Sequence, residues 1–448
     1  MKVLGVIRSR ITSAHPDHHA IAKGMAWVAL FVFLGKLAGA AREMAVAYRY
    51  GVGEEVDAYL FVLNLVSWPQ AVWLSVLASV LVPLAARIRQ DTTAELPRFR
   101  AELLGLALLL GLTVASLAWP GLPSLLRAPW IGLPATTVAL ASKMVPALVF
   151  LIPLGVIIGL LSAWMLATGS HANTLLEGVP ALVIALAVLM LPGGGIEPLL
   201  WGTLAGFSLH LTSLAIPLAR HGELEAPRFT RRSPQWAPFW QIFGVMLAGQ
   251  ALMSFVGIID QFFAAHLGPG TIATLGYANR VLALILGLGA TAVIRATLPI
   301  FSKTEAQGGT KGHRLASYWV LFLFLLGAIA LIVGWGLARW AVGLLFERGA
   351  FTLEDTLKVS EVLRVGLLQL PFYFAGLVLV SVLASKREHK LIAIGAGVNL
   401  LVKLGANWAL VPAMGVSGIM AATVFMYMVS FALLWYFVGS VTRNRSAS

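Results

Sequence analysis

The chain has 448 residues, 59% hydrophobic and 11% charged, with a mean hydropathy of +0.87. Soluble domains carry roughly 25% charged residues, so the composition excludes an ordinary soluble domain and reads as a polytopic membrane protein. The net charge of +13 raises nucleic acid as a partner, but no basic soluble face with groove-reading elements accompanies it, and the lack of cysteine excludes disulfides, thiolate metal sites and cysteine nucleophiles.

In chain order, Met1 to Lys23 carries Arg8 and Arg10 without a small-residue cleavage pattern, and is expected to be a retained cytoplasmic tail. Apolar runs then recur about twelve times at the ~20-residue length that a ~30 Å hydrocarbon core demands. Their predicted limits are 22–49, 57–86, 101–121, 137–168, 174–192, 197–218, 238–266, 272–301, 316–345, 357–384, 391–411 and 414–438. The fold class expected is all-α, with about twelve transmembrane helices in two six-helix lobes.

The loops orient these spans. Arg87, Arg89, Arg98, Arg100, Arg220, Arg228, Arg231 and Arg232 fall on one side, with Lys303, Lys311, Arg314, Lys386, Arg387, Lys390, Arg443 and Arg445. Glu54, Glu55, Glu197, Glu354 and Asp355 fall on the other. The positive-inside rule then predicts both termini in the cytoplasm of a bacterial inner-membrane protein, with the loop cations meeting anionic lipid headgroups.

The chain also repeats itself. Gly51, Gly53 and Glu43 match Gly268, Gly270 and Asp260 at an offset of 217, and Pro83 matches Pro299 at 216. Parallel halves follow, because each contains an even number of spans. The expected division is an N-terminal lobe at 1–219, a cytoplasmic hinge at 220–236 and a C-terminal lobe at 237–448.

Within the apolar runs stand Arg42, Glu43, Asp260, Arg280 and Lys403. Ions at membrane depth face a cavity or each other. At ~1.5 Å per residue, Arg42 and Arg280 lie roughly 12 to 15 Å below the outer surface, and Lys36 about 9 Å deeper. Guanidinium and ammonium groups in a partly dehydrated cavity suit a phosphorylated anion, Arg by paired hydrogen bonds and Lys as a point charge. The alternative is that Arg42 and Arg280 pair with Glu43 and Asp260 to staple the lobes. Glu43, Asp57, Asn64 and Asn279 are expected at the cavity or its gate, and Thr352 with Asp355 reads as a capping box. No phosphate-binding loop, zinc motif or catalytic constellation occurs, so no enzyme activity, metal or cofactor is expected.

The segment GKLAGAAREMAVAYRYGVGEEVDAY, from Gly35, resembles the opening of the MurJ-like lipid II flippases of the multidrug/oligosaccharidyl-lipid/polysaccharide exporter superfamily. YANRVLALILGLGATAVIRATLPIFSK (Tyr277 to Lys303) and LFERGAFTLEDT (Leu345 to Thr356) are similar to that family's eighth helix and the loop before its tenth. The resemblance implies a two-lobed alternating-access transporter that carries an undecaprenyl-pyrophosphate-linked sugar from the cytoplasmic to the periplasmic leaflet. It implies pyrophosphate contacts from Lys36, Arg42 and Arg280, and the family's acidic residue of the second helix at Asp57. A further family arginine falls near Pro69 or Gln70 and is missing, and the family continues with two more helices that groove the lipid tail. These departures favour another lipid-linked glycan, such as an exopolysaccharide or O-antigen repeat unit. The family's sodium-holding positions correspond to Asp260, Asn399 and position 403, where this chain has lysine; Lys403 then either replaces the ion beside Asp260 or faces the cavity as another phosphate-binding cation. Glycan assembly machinery is a partner by analogy. A multidrug/cation antiporter and a non-transporting scaffold are the competing readings.

Overall fold

Hydrocarbon offers no water to satisfy backbone N–H and C=O groups, so an apolar chain of this kind must close its hydrogen bonds within helices. The computed structural model describes residues 16–91, 95–167, 175–306, 311–386 and 388–447. Arg8, Arg10 and Arg387 lie outside the described residues, as do the side chains of Pro83, Arg87, Arg89, Pro299, Lys303, Lys311, Arg314, Arg443 and Arg445.

The helices are α1 (Pro16–Tyr50), α2 (Glu54–Asp91), α3 (Leu96–Leu126), α4 (Ala135–Leu148), α5 (Leu151–Ala167), α6 (Val179–Met190) and α7 (Glu197–Arg220). After the connection at 221–235 come α8 (Trp236–Ala265), α9 (Thr271–Ala306), α10 (Lys311–Phe346), α11 (Leu353–Leu367), α12 (Leu370–Ser385), α13 (His389–Met414) and α14 (Val416–Ala447). A helix or a helix pair occupies each predicted span. Among the described residues, six helices are singly long and apolar enough to cross a membrane, or up to eight spans if each of two bent pairs counts as one; α6 and stretches of α8 and α9 are shorter apolar helices. Their outer faces suit lipid: only 17% of the most apolar stretch of α10 is buried, with Leu321, Ile329, Ile332 and Trp340 exposed.

Two spans expected to be single helices are broken. α4 and α5 meet at 50°, and α11 and α12 at 41°. Proline lacks an N–H and collides with the carbonyl four residues earlier, which places the breaks just before Pro153 and Pro371. In each case the preceding span brings a glycine against the proline. A Cβ on Gly111 would sit 2.8 Å from Pro153 Cα, and one on Gly327 would sit 2.7 Å from Pro371 Cα.

The chain resolves into two compact units. The first comprises Met1–Arg42, Trp73–Leu112 and Pro153–Trp240; the second comprises Glu43–Val72, Thr113–Ile152 and Gln241–Ser448. In the first, Ile158, Leu161 and Met165 of α5 pack with Leu214 and Leu218 of α7. Pro180 of α6 approaches Gly206 of α7 so closely that a Cβ there would lie 2.9 Å from the proline Cα. Phe99 sits edge-on to Trp164, Trp236 and Phe239.

The same unit fastens the connection at 221–235 to α3. The Glu102 carboxylate, wholly buried, accepts from Trp236 Nε1 (2.7 Å), Thr230 Oγ1 (2.8 Å) and the amides of Arg232 and Ser233 (3.1 Å each). Arg100 bridges Glu223 and Glu225 at 3.6 and 3.1 Å, and Arg228 N donates to Ala101 O. Burial raises the Glu225 carboxyl above its ordinary range, against the pull of the Arg100 charge. Gly105 lets the connection lie close against α3, because a side chain there would collide with the Arg228 carbonyl.

In the second unit, α13 packs on α14, and α12 packs against α9, α10 and α14. Phe324, Phe372 and Phe431 interlock across α10, α12 and α14. Thr352 and Asp355 form the predicted capping box at the start of α11.

Candidate functional site

A cavity of about 400 Å³ opens within the second unit, lined by α2, α8 and α9. Polar groups on its wall come from Asn64, Ser67, Trp68, Ser254, Asp260, Gln261, Asn279 and Arg280. These residues share a wall because their helices return to it each turn: Ser67, Trp68 and Ala71 follow Asn64 at three, four and seven positions on α2, and Ala283 follows Asn279 and Arg280 at four and three on α9.

The structure joins four of these charges in two pairs. Arg280 Nε lies 3.1 Å from Glu43 Oε1, with the arginine side chain 43% exposed and the glutamate 11%. Lys403 Nζ lies 2.7 Å from Asp260 Oδ1 and is fully buried. Glu43 therefore meets Arg280 across 237 positions of sequence, while Asp260, at the repeat-equivalent position, meets Lys403 instead. The ammonium also donates to the Ile419 carbonyl (2.9 Å) and to Thr423 Oγ1, which employs all three of its N–H bonds. Asn407 Nδ2 donates to the same carboxylate at 3.3 Å. Asp260 lines the cavity and Lys403 sits behind it; Arg280 is the cation on the wall.

Two residues anticipated at the cavity or ion site are engaged elsewhere. Asp57 is buried, and its two oxygens accept from Gly270 N and Ala273 N at 2.6 Å each. It caps the start of α9, whose first N–H groups have no partners within their own helix. Asn399 donates to Ser430 Oγ at 3.1 Å, joining α13 to α14. Asn64 and Asn279 both line the cavity. Lys36 and Arg42 lie half-buried on the part of α1 that belongs to the first unit. Gln70, near the missing family arginine, is buried and donates to Leu151 O at 2.5 Å, tying α2 to the bend between α4 and α5.

Sequence reading missed several contributors, Ser67 and Ser254 among them. Trp68 and Gln261 line the cavity, and Asn407 supports Asp260. Trp68 stands four positions after Asn64, so helical spacing from that residue was the available signal; Gln261, adjacent to Asp260, had none of that kind. Asn407 follows Lys403 by four positions, one turn along α13.

At the end of α1 the second unit is drawn tight. Gly51 takes a left-handed conformation with φ 59°, and its carbonyl accepts from Tyr277 OH at 3.1 Å. Ala350 N donates to Tyr48 O at 2.8 Å. A side chain at Gly51 would collide with the Ala350 carbonyl as well as strain the backbone.

Among solved structures, the chain is similar to one described as "Lipid II flippase MurJ, inward closed conformation", with a TM-score of 0.81 and 20% identity over 92% of this chain and 87% of that one. It also resembles an inward-facing multidrug resistance MATE family transporter of the MOP superfamily, with a TM-score of 0.74, 16% identity and coverage of 92% and 96%. At these identities the likeness establishes the fold. Curated relatives named "Probable lipid II flippase MurJ" include one from Helicobacter pylori strain J99, 32% identical over 44% of this chain and 43% of the relative. Another, from Buchnera aphidicola, is 22% identical over 80% of this chain and 70% of the relative. The chain thus spans under half the length of the first and more of the second. The family model for lipid II flippase MurJ matches residues 46–443, and this multi-pass membrane protein belongs to that family.

Proposed function

We propose that the protein flips a polyprenyl-pyrophosphate-linked oligosaccharide, lipid II or a polysaccharide repeat unit, from the cytoplasmic to the periplasmic leaflet of the inner membrane. The observation that carries this reading is Arg280: its Nε is held by Glu43 while the side chain stays 43% exposed on a cavity wall. A guanidinium has five N–H donors, so one edge can be held in place while the other receives a phosphate. Lys36 and Arg42 are proposed as further cations for the same phosphate chemistry, on residue type and sequence position. Both termini are cytoplasmic in this reading, and the halves 1–219 and 237–448 move as lobes. The connection at 220–236, fastened to α3 by Glu102, moves with the N-terminal half.

Lys403 is proposed as a built-in counterion of Asp260 that makes transport independent of added sodium. The three oxygens around its ammonium support that role over a cavity-facing one. The same pair weighs against a cation antiporter, since the carboxylate lining the cavity is already matched by a cation. An open polar cavity weighs against a scaffold.

The test is complementation of a flippase-depleted strain. Arg280→Ala is expected to abolish rescue at unchanged membrane abundance, and Arg280→Ala combined with Glu43→Gln is expected to stay inactive. Rescue by the double variant would mean that Arg280 only neutralises Glu43.

A further inference from the structure

The connection at 221–235 presents a basic and aromatic surface that its fastening to α3 does not explain. Arg228, Arg231 and Arg232 are exposed, and none of the three pairs with a carboxylate among the described residues. Phe229 stands among them with 71% of its surface exposed. Its neighbours are fixed on both sides: Arg228 N donates to Ala101 O at 2.8 Å, and Thr230 Oγ1 and Arg232 N donate to the Glu102 carboxylate. The ring is therefore held outward beside three cations. Ala101 and Glu102 lie in the first two turns of the apolar helix Leu96–Leu126, so contacts with them set this segment at the level where headgroups meet hydrocarbon. Between the segment and α3 lies a pocket of about 380 Å³, lined by Pro97, Arg98 and Ala101 on one side and by Glu225, Ala226 and Arg228 on the other. The Arg98 side chain is 43% exposed. Glu225 is already held by Arg100 at 3.1 Å, which leaves the surplus charge of the pocket wall positive.

We propose that this pocket and Phe229 form a docking site for an anionic phospholipid of the cytoplasmic leaflet. The lipid phosphate sits between Arg98 and Arg228, the Phe229 ring enters the acyl boundary, and Arg231 and Arg232 meet neighbouring headgroups. Each part has its chemistry. Guanidinium forks bind phosphate oxygens through paired, charge-assisted hydrogen bonds. An apolar ring beside basic residues is the composition of an interfacial anchor. Orienting the spans needs loop charge alone; an outward-held ring and a pocket between two of the cations are what a lipid-specific contact adds. Free phosphate shares the attraction to arginine but gives Phe229 nothing to bury against. The inference stands apart from the flippase reading, since it uses neither Arg280 nor the cavity of the second unit.

The experiment is limited trypsin cleavage of the full-length chain in nanodiscs of phosphatidylcholine alone, of phosphatidylcholine with phosphatidylglycerol, and of phosphatidylcholine with added inorganic phosphate. Cleavage at Arg228, Arg231 and Arg232 reports how often the segment leaves its seat. Phosphatidylglycerol is expected to slow it about tenfold in wild type, as two or more arginines at a charged membrane surface would give. Cleavage at the exposed Lys390 is expected to change little, and inorganic phosphate is expected to have little effect anywhere. Arg98→Gln and Phe229→Ala keep all three cleavage sites, and in both the tenfold ratio is expected to shrink towards one. Four results overturn the site: no slowing in wild type, equal slowing at Lys390, equal slowing by inorganic phosphate, or a ratio undiminished in both variants. The second would show diffuse surface charge, and the third a site for free phosphate. The wild-type comparison between lipids and between cleavage sites uses no substitution, so a variant that misfolds leaves the test standing.

Discussion

Lys403 shows how much depends on a single partner. A fully buried ammonium is tolerated because a carboxylate, a carbonyl and a hydroxyl surround it. Breaking a buried pair strands the remaining charge and costs about 3 to 5 kcal/mol, whereas replacing both members with neutral groups is often near neutral. Lys403→Met should therefore lower the melting temperature of the purified protein sharply, and Asp260→Asn added to it should restore most of the loss. Additive losses in the double variant would show that the two residues are not coupled. A sodium requirement for transport that appears in Lys403→Asp, and is absent from wild type, would support the built-in-counterion role; no such gain would count against it.

Asp57 makes a second residue-scale case. Its carboxylate accepts two backbone N–H bonds at the start of α9. Loss of a helix cap typically costs about 1 to 2 kcal/mol, so Asp57→Ala should destabilise the protein by that amount, and Asp57→Asn by less, in thermal melts. The sequence marked Asp260 and Lys403, because a charge in an apolar run is conspicuous in one dimension, and the family resemblance marked Asp57. It could not tell their partners. Those lie 213 positions away for Asp57 and Gly270, and 143 for Asp260 and Lys403, and only packing chooses among several charges at one depth.

At the scale of elements, spans were legible from apolar length, because hydrocarbon permits little besides helix. Their breaks were not. Pro153 and Pro371 are interior to long apolar runs, and whether a proline bends a span depends on what packs into the bend, here Gly111 and Gly327. Gly327→Val should overlap Pro371 and lower stability by more than about 1 kcal/mol, measured as reduced melting temperature or membrane abundance. The connection at 221–235 read as a polar hinge, since nothing in its composition reveals that Glu102, counted within a neighbouring span, gathers its backbone. Glu102→Ala should release it. The expected outcome is faster trypsin cleavage at Arg228, Arg231 and Arg232 than in wild type, and equal cleavage rates would mean that other contacts hold this segment.

For the whole molecule, composition alone established a membrane protein, and three motifs in order carried the resemblance that the family match over residues 46–443 makes firm. The cavity was only partly legible. Its charges stood out against apolar sequence, whereas Trp68 and Gln261 look like the ordinary tryptophans and amides of any membrane helix until α2, α8 and α9 are placed together. The proposed function has one cavity-lining arginine, steadied by a glutamate, meet the substrate's diphosphate. Its most direct test is leaflet-to-leaflet transfer of a polyprenyl-pyrophosphate oligosaccharide in proteoliposomes containing the purified chain. Wild type is predicted to accelerate transfer over protein-free vesicles, and Arg280→Ala to fall to the protein-free rate while remaining folded. Transfer by Arg280→Ala at the wild-type rate, or no acceleration by active-fold wild type, would contradict the account.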